Sequence, residues 1–348
     1  MTYDAYFAAV ARADAARAVE AVDDAVARGE SVRSLVRDVV ARGQADAGRL
    51  WFEGRWTVAD EHAATAVAEQ ALTVLAPPRA PSPGAARVVL ACAEGEWHTF
   101  PARLAATLAR TPALDVLVVG GSVPADHLAR HLRATRPAAL ALSCTLPTNL
   151  IGAARSIAAA HAEGVPVVVG GAAWGRGQRR ADRLGADLRL DDPGRLADAV
   201  ATLDPNAVAD PCEVPVEALL LDAPPHEVLL LALERQCAAN PWLRTMTPYQ
   251  RHRTLEDLGW LARHAAAALA CDDPTILRDL IEWLLALLSP RGVPAAAVID
   301  SCYFLADAVE PESPHGADLL RGEADGAHRR LLVPEQSAPE PDRSRTRD

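Results

Sequence analysis

Arg87 to Pro101, R-V-V-L-A-C-A-E-G-E-W-H-T-F-P, is the stretch that decides the fold. It starts as a continuous apolar run and ends in a loop that carries a carboxylate, Glu96, and an imidazole, His98. A short apolar run without polar alternation predicts a strand buried on both faces. Similar runs follow as D-V-L-V-V-G-G, A-L-A-L-S-C and V-P-V-V-V-G-G over residues 115–121, 139–144 and 165–171.

Helical segments separate these runs, over residues 101–110, 124–134 and 149–162. Strands joined by helical crossovers form a parallel sheet, so residues 87–205 are predicted to be a Rossmann-like, doubly wound α/β domain. Ligands of such sheets bind at the carboxyl ends of the strands. Neither G-x-G-x-x-G nor G-x-x-x-x-G-K-[ST] occurs at the first turn, which makes a nucleotide phosphate a poor explanation for this edge.

The distinctive residues of this domain all follow strand ends. They are Glu96, Trp97, His98, Gly120, Gly121, Ser143, Thr145, Gly170 and Gly171. A loop histidine with a carboxylate two residues earlier can give one ring nitrogen to a metal while the other hydrogen-bonds within the protein. Paired glycines leave room for a bulky ligand.

Residues 1–76 precede this domain and read as four amphipathic helices in a small bundle, with the first break at Gly29 to Ser31. A Pro-rich linker, residues 77–86, follows the bundle. Within the bundle, W-F-E-G-R-W-T-V-A-D-E-H spans residues 51–62. This stretch provides a large aromatic side chain, Trp51, and two polar side chains, Glu61 and His62, that could contact a ligand. Val58 lies one helical turn before His62.

Residues 87 to about 190 resemble the cobalamin-binding domain of methionine synthases, mutases and corrinoid proteins. The family pattern D-x-H-x-x-G, S-x-L and G-G corresponds here to E-x-H-x-x-P from Glu96, S-x-T from Ser143, and Gly170-Gly171. Gly121 and Val123 stand in a stretch, residues 121–124, that resembles the family's second loop. The resemblance implies that His98 is the lower axial ligand of cobalt and Glu96 its hydrogen-bonding partner. The glycines and Ser143 would line a slot for the dimethylbenzimidazole tail, whose shape Pro101 and Thr145 would alter.

The bundle then resembles the cap over the upper face of cobalamin in light-sensing adenosylcobalamin repressors. Those caps carry W-x(9)-E-H, which Trp51, Glu61 and His62 match. The resemblance implies that Trp51 and Glu61 contact the adenosyl group and that light, by cleaving the cobalt–carbon bond, changes the packing of the cap. Phe52 stands where the repressors have a histidine that captures cobalt after photolysis, so His62 or water would have to serve here.

Residues 206–310 read as a second helical domain, and residues 311–348 as a disordered tail. The helical domain has an aromatic and basic cluster: Tyr249, Arg251, His252, Arg253, Trp260, His264, Cys302 and Tyr303. A cobalamin module followed by a globin-like helical domain resembles the photocobilins, which implies a bilin, biliverdin, at this cluster. Cys302 could form a thioether, or the arginines could hold the bilin without a covalent bond. A dimerisation bundle, or haem ligated by His252 or His264, are the alternatives.

Composition limits the remaining function classes. The formal net charge is −11, whereas a nucleic-acid partner requires a basic face. No apolar run approaches the roughly 20 residues of a membrane span, the amino terminus does not read as a secretory signal, and the six cysteines lack C-x-x-C spacing. We therefore expect a cytoplasmic protein with reduced thiols that interacts with neither nucleic acid nor membrane.

The function expected from these features is light sensing rather than catalysis. The expected cofactors are adenosylcobalamin, with its cobalt, and biliverdin. The expected output is light-dependent homo-oligomerisation, as a dimer, or docking to a downstream signalling protein. The alternative is a corrinoid methyl carrier that works with methyltransferases and uses the same His98.

Overall fold

The computed structural model describes residues 2–76, 80–204, 208 and 212–332. It divides into two compact units, the first comprising Met1–Pro215 with Ala270–Asp273 and the second Val216–Leu269 with Pro274–Asp348. The first unit therefore joins the predicted cap and the predicted α/β domain. Residues 77–79 of the predicted linker and residues 333–348 of the predicted tail lie outside the described residues.

The predicted cap, which we call the cap below, consists of helices α1 (Thr2–Val10), α2 (Ala15–Ala27), α3 (Val32–Ser34), a π-helical stretch (Leu35–Ala41), α4 (Arg42–Phe52) and α5 (Val58–Leu75). The predicted first break was wrong in part, because the chain already turns at Ala13, where φ is +53°. Asp14 caps α2 by accepting a hydrogen bond from the backbone N–H of Arg17. From Val32 to Phe52 helical structure is uninterrupted, so the predicted second and third helices are one.

The α/β part contains strands β1 (Ala86–Cys92), β2 (Leu114–Gly120), β3 (Ala139–Ser143), β4 (Val167–Gly170) and β5 (Leu188–Arg189). Its helices are α6 (Thr99–Ala109), α7 (Ala125–Thr135), α8 (Leu150–His161), α9 (Arg179–Arg183) and α10 (Leu196–Thr202). All pairings are parallel, in the order β2-β1-β3-β4-β5. The predicted parallel sheet with flanking helices is confirmed. Its fifth strand was missed, because two residues give no readable apolar run.

The order reverses between β1 and β3, which is the switch point at which doubly wound sheets bind their ligands. Apolar side chains fill both faces of the central strands, from Val88 to Cys92 and from Ala139 to Leu142. Helix α6 starts directly after His98 and packs its Phe100 into the hydrophobic core of the cap. The helix that follows the candidate ligand therefore also carries the docking face for the cap.

The second unit is helical, with α11 (Val216–Asp222), α12 (His226–Ala239), α13 (Pro248–Cys271), α14 (Thr275–Leu288), α15 (Ala295–Val309) and α16 (Pro314–Leu332). The expectation of a disordered tail after Glu310 was wrong through residue 332. Helix α16 is amphipathic and buries Ala317, Leu320 and Ala324. Its high content of charged residues and glycine concealed this apolar face from the sequence. Among the described residues, none of the helices has the combined length and hydropathy needed to cross a membrane.

Candidate functional site

The imidazole of His98 lies at the carboxyl end of β1 and is held by the carboxylate of Glu96. Glu96 Oε1 accepts the backbone N–H of His98 at 2.9 Å and the ring Nδ1–H at 2.6 Å. With Nδ1 used as a donor, Nε2 carries the lone pair that can bind a metal. The side chain of Glu96 is fully buried, whereas that of His98 is 54% exposed. The imidazole is therefore accessible from solvent while its hydrogen-bonding partner is buried.

The second carboxylate oxygen of Glu96 is anchored by the loop after β3. Glu96 Oε2 accepts hydrogen bonds from the backbone N–H groups of Thr145, at 2.8 Å, and Leu146, at 3.0 Å, and from Asn149 Nδ2, at 3.1 Å. Leu146 and Asn149 were not predicted as site residues, and Thr145 was expected at a ligand slot. Nothing in the pattern linked these residues to Glu96, since they lie about fifty positions away.

These contacts set the charges of the pair. Burial alone would raise the pKa of Glu96, but the hydrogen bonds from His98, Leu146 and Thr145 outweigh it and lower that pKa to about 2. The pKa of His98 is raised by its hydrogen bond to Glu96 and by the charges of Glu96 and of Glu61. Glu61 belongs to the cap, and its charge is the smallest of these contributions to the pKa of His98.

The cap residues expected at the site occupy the end of α4 and the first turns of α5. Trp51 is half-buried, Val58 is 56% exposed and the His62 side chain is 75% exposed. The Glu61 carboxylate accepts hydrogen bonds from Gln44 Nε2 at 2.7 Å, Thr65 Oγ1 at 3.0 Å and His62 Nδ1 at 2.7 Å. The sequence analysis did not single out Gln44 or Thr65.

An apolar cavity of about 210 Å³ opens between the sheet and helices α6 and α10. Its lining includes Leu90, Pro101, Ser143, Gly170, Gly171 and Leu196. Ser143 and the glycine pair Gly170-Gly171, which were predicted to line a slot, thus line one cavity. Pro101, which replaces the family's glycine, also lines the cavity without closing it.

Gly121 and Gly171 allow close packing between loops. A Cβ atom on Gly121 would lie 3.0 Å from Thr99 Cγ2 and 3.2 Å from the carbonyl oxygen of Glu96. Gly121 thus lets the loop after β2 pack closely on the loop after β1, and the half-buried Val123 follows it. Gly171 has φ of +109°, and its Cβ would lie 2.2 Å from the carbonyl oxygen of Cys144, so backbone packing also requires glycine there.

Trp97, beside the candidate ligand, is 73% exposed. A large aromatic side chain in water on this loop is a ready platform for a flat ligand. The sequence analysis noted Trp97 only as part of the Glu96–His98 signature.

The residues expected to hold a bilin lie on two helices of the second unit. Helix α13 carries Tyr249, Arg251, His252, Arg253, Trp260 and His264, and α15 carries Cys302 and Tyr303. Tyr249 is 72% exposed, His252 lies 3.5 Å from Glu256, and Arg253 pairs with the same glutamate at 2.5 Å. Tyr303 donates its hydroxyl to Asp325.

Trp260, His264 and Cys302 are less accessible to a ligand than Tyr249 and His252. The rings of Trp260 and His264 stack at 5.9 Å, and His264 donates Nδ1–H to the carbonyl oxygen of Trp260 at 2.8 Å. Burial lowers the pKa of His264 to about 4. Cys302 is fully buried, and burial raises the pKa of its thiol to about 12, which disfavours the thiolate that thioether formation uses.

Comparison with known proteins agrees with the geometry of the first unit. Two family models, each described as a B12 binding domain, match residues 2–76 and 86–200. No curated protein matches the chain.

Among solved structures, one supports the fold and two are similar only in part. The monomethylamine corrinoid protein of Methanosarcina barkeri is 18% identical, with a TM-score of 0.50, over 58% of this chain and 98% of that chain. The methanol:cobalamin methyltransferase complex MtaBC of the same organism is 19% identical over 58% of this chain and 80% of that chain, with a TM-score of 0.31. A cobalamin-binding protein of Desulfitobacterium hafniense DCB-2 is 22% identical over 57% and 95%, also with a TM-score of 0.31. The two domain matches by themselves indicate a cobalamin-binding region, with a cobalamin or corrinoid as the cofactor.

Proposed function

We propose that this chain is a light sensor that holds adenosylcobalamin between its helical cap and the carboxyl edge of its sheet. The observation that carries the proposal is the packing of α6, the helix that starts directly after His98, on the helical cap, since its Phe100 belongs to the hydrophobic core of the cap. Trp51, Glu61 and His62 of the cap match the W-x(9)-E-H pattern, and the charge of Glu61 contributes to the raised pKa of His98.

The residues present fit the cofactor. His98 offers Nε2 to cobalt, since its Nδ1–H is committed to Glu96. The cavity lined by Ser143, Gly170 and Gly171 is apolar and deep enough to receive the base of the nucleotide tail. The exposed Trp97 would cover part of the corrin ring beside His98.

Adenosylcobalamin would supply a cobalt–carbon bond that visible light breaks. In the dark, Trp51, Val58 and Glu61 would contact the adenosyl group. In the light they would lose that packing partner, and the cap could settle differently on α6. The present contacts of α6 with the cap include Arg103, which lies 3.2 Å from Glu69 and donates to Thr73 at 2.8 Å. These polar contacts are exposed and weak enough to be exchanged.

The second unit would add a bilin. It lies outside both matched domains, and the match to the monomethylamine corrinoid protein covers 98% of that chain but only 58% of this one. Arg251 and Arg253 on α13 could pair with the propionates of biliverdin, and Trp260 could stack on its rings. The buried thiol of Cys302 favours non-covalent binding.

The decisive experiment uses the full chain reconstituted with adenosylcobalamin in darkness. Absorption spectra and the elution volume from size-exclusion chromatography are recorded before and after illumination. We expect a spectral change and, because the cap moves, a change in oligomeric state or in partner docking. An unchanged spectrum would rule out light sensing, and an unchanged elution volume would rule out the oligomer switch. The protein is also incubated separately with biliverdin and with haem, and absorption spectra are recorded. Red absorbance after biliverdin loading identifies a bilin as the second cofactor, whereas a Soret band after haem loading identifies haem.

A corrinoid methyl carrier is the second candidate. It is favoured by the fold, since the likeness to the monomethylamine corrinoid protein extends over 98% of that chain. A carrier should bind methylcobalamin in preference to adenosylcobalamin, because its upper face must admit a small, transferable group. Parallel titrations with the two forms in darkness separate the candidates.

A further inference from the structure

Gln44 and Thr65 form a polar network around Glu61 in the interior of the cap. Gln44 lies on α4, the helix that ends with Trp51 and Phe52, and Thr65 lies on α5, one turn after Glu61. Gln44 Nε2 donates to Glu61 Oε1 at 2.7 Å and to Thr65 Oγ1 at 2.6 Å. Thr65 Oγ1 in turn lies 3.0 Å from the same carboxylate oxygen.

The network consumes both N–H groups of the Gln44 amide. Within the described part of the chain, the other amide atom, Gln44 Oε1, is buried and accepts no hydrogen bond. A buried acceptor without a donor destabilises a fold. The amide is therefore oriented by the carboxylate of Glu61 at a cost to stability, which is the arrangement expected of a residue retained to fix Glu61 in place.

The rest of the carboxylate is equally constrained. Glu61 Oε2 accepts from His62 Nδ1 at 2.7 Å, and only 22% of the Glu61 side chain is exposed. Gln44 therefore links the helix that carries Trp51 to the helix that carries Glu61 and His62.

We infer that Gln44 and Thr65 are positioning residues that set the specificity of the cap for the upper ligand of cobalamin. By fixing Glu61 relative to Trp51, they prepare the cap for a ligand with hydrogen-bond donors and a flat surface, such as a nucleoside, rather than for a small ligand such as hydroxide. This inference rests on the proposed function, in which the cap covers the upper face of the cofactor.

The test compares the affinity of the full-length protein for adenosylcobalamin and for hydroxocobalamin, in darkness, by equilibrium titration. The variants are Gln44→Met and Thr65→Val, which keep the side-chain size and remove the hydrogen bonds. Each should weaken adenosylcobalamin binding by about tenfold and leave hydroxocobalamin binding unchanged. Thr65→Ser, which keeps the hydroxyl, should bind like the wild type. Gln70→Met, on the exposed side of α5, is the matched control.

A double-mutant cycle shows whether the two residues act through Glu61. In a Glu61→Gln background, Gln44→Met should cause little further loss, because the group that it positions is already gone. Thermal unfolding of each cofactor-free variant reports stability separately from affinity.

The outcomes separate the inference from the function on which it rests. Equal losses for both cobalamins, or no loss for either, would overturn the positioning role of Gln44 and Thr65. Additive losses in the Glu61→Gln background would also overturn it. A wild-type protein that fails to bind adenosylcobalamin would instead overturn the proposed function.

Discussion

A single carboxylate oxygen of Glu96 accepts two hydrogen bonds from His98, one from the backbone N–H and one from the ring Nδ1–H. The two bonds close a small ring that fixes the tautomer and the direction of the imidazole. The other carboxylate oxygen ties this ring to the loop after β3. The candidate cobalt ligand is thus built into the sheet's carboxyl edge.

Replacing His98 by alanine should weaken cobalamin binding at least tenfold and abolish the spectral features of histidine ligation, because the ring nitrogen proposed to bind cobalt is removed. Absorption spectroscopy of the loaded protein and an equilibrium titration measure the two effects. His127→Ala, an exposed histidine on α7, should leave both unchanged. A wild-type spectrum for His98→Ala would contradict the axial role.

Glu96→Gln should destabilise the fold by about 3 kcal/mol, because a neutral amide places a donor among hydrogen-bond donors at a buried position. The pKa of His98, which Glu96 raises, should fall towards its ordinary value. Urea denaturation and an NMR titration of the imidazole check both effects. Glu94→Gln is the control, since its ion pair with Arg155 is partly exposed and should contribute less than about 1 kcal/mol.

The same carboxylate predicts the response of the wild type to acid. The pKa of Glu96 is lowered to about 2 in the folded protein from an ordinary value of 4.5, so the unfolded chain binds the proton more readily. The stability that Glu96 contributes should be complete above pH 4.5 and decline as the pH falls towards 2. The Glu96→Gln variant should lack this component of the decline.

His264 predicts a second pH dependence, in the helical unit. Burial lowers the pKa of His264 from 6.5 to about 4, so between these pH values the imidazole binds a proton in the unfolded chain but not in the folded chain. Stability should therefore fall as the pH drops from 6.5 to 4, by about 3 kcal/mol in total. His264→Phe, which keeps an aromatic ring against Trp260, should remove this slope, whereas the exposed His252→Phe should keep it. Denaturation curves at several pH values distinguish the variants, and a persistent slope in His264→Phe would refute the assignment.

Gly152→Ala should destabilise the first unit by about 1–3 kcal/mol. Its Cβ would lie 2.0 Å from the carbonyl oxygen of Glu94, and no rotamer change can relieve a contact with backbone. The loop that carries Glu96 would shift, so cobalamin affinity should fall as well. Gly48→Ala, on α4, meets nothing within 4 Å and should be neutral or stabilising by up to about 1 kcal/mol. Thermal unfolding of the two variants provides the comparison.

The parallel sheet and the Glu96–His98 pair could be predicted from the sequence because their signals are local. The spacing of Glu96 and His98 in a loop after an apolar strand indicated a metal-binding imidazole with a carboxylate partner, and the glycine pair after β4 indicated a slot. The parallel sheet followed from continuous apolar runs separated by helical segments. Cobalamin itself was expected from a resemblance, which the two domain matches support.

The remaining features depend on contacts between distant parts of the chain. The donors that stabilise the charge of Glu96 come from residues 145–149, and the amide that holds Glu61 comes from Gln44 on another helix. Every residue except proline has a backbone N–H group, so a sequence does not indicate which of these groups will donate to Glu96. A single glutamine on a helix face is typical of a surface residue. Helix α16 was hidden for a related reason, because small residues such as Ala317 and Ala324 form its buried face.

The sequence by itself determined the type of the sheet and its first four strands, since these follow from local periodicity, and it singled out Glu96 and His98 as a carboxylate–imidazole pair by their spacing. Only the tertiary structure decided which groups donate hydrogen bonds to Glu96, how Gln44 and Thr65 hold Glu61, and that the helix α16 forms over Pro314–Leu332. The physical reason is that hydrogen bonds and close packing act over a few ångströms, and the chain brings those atoms together only when it folds.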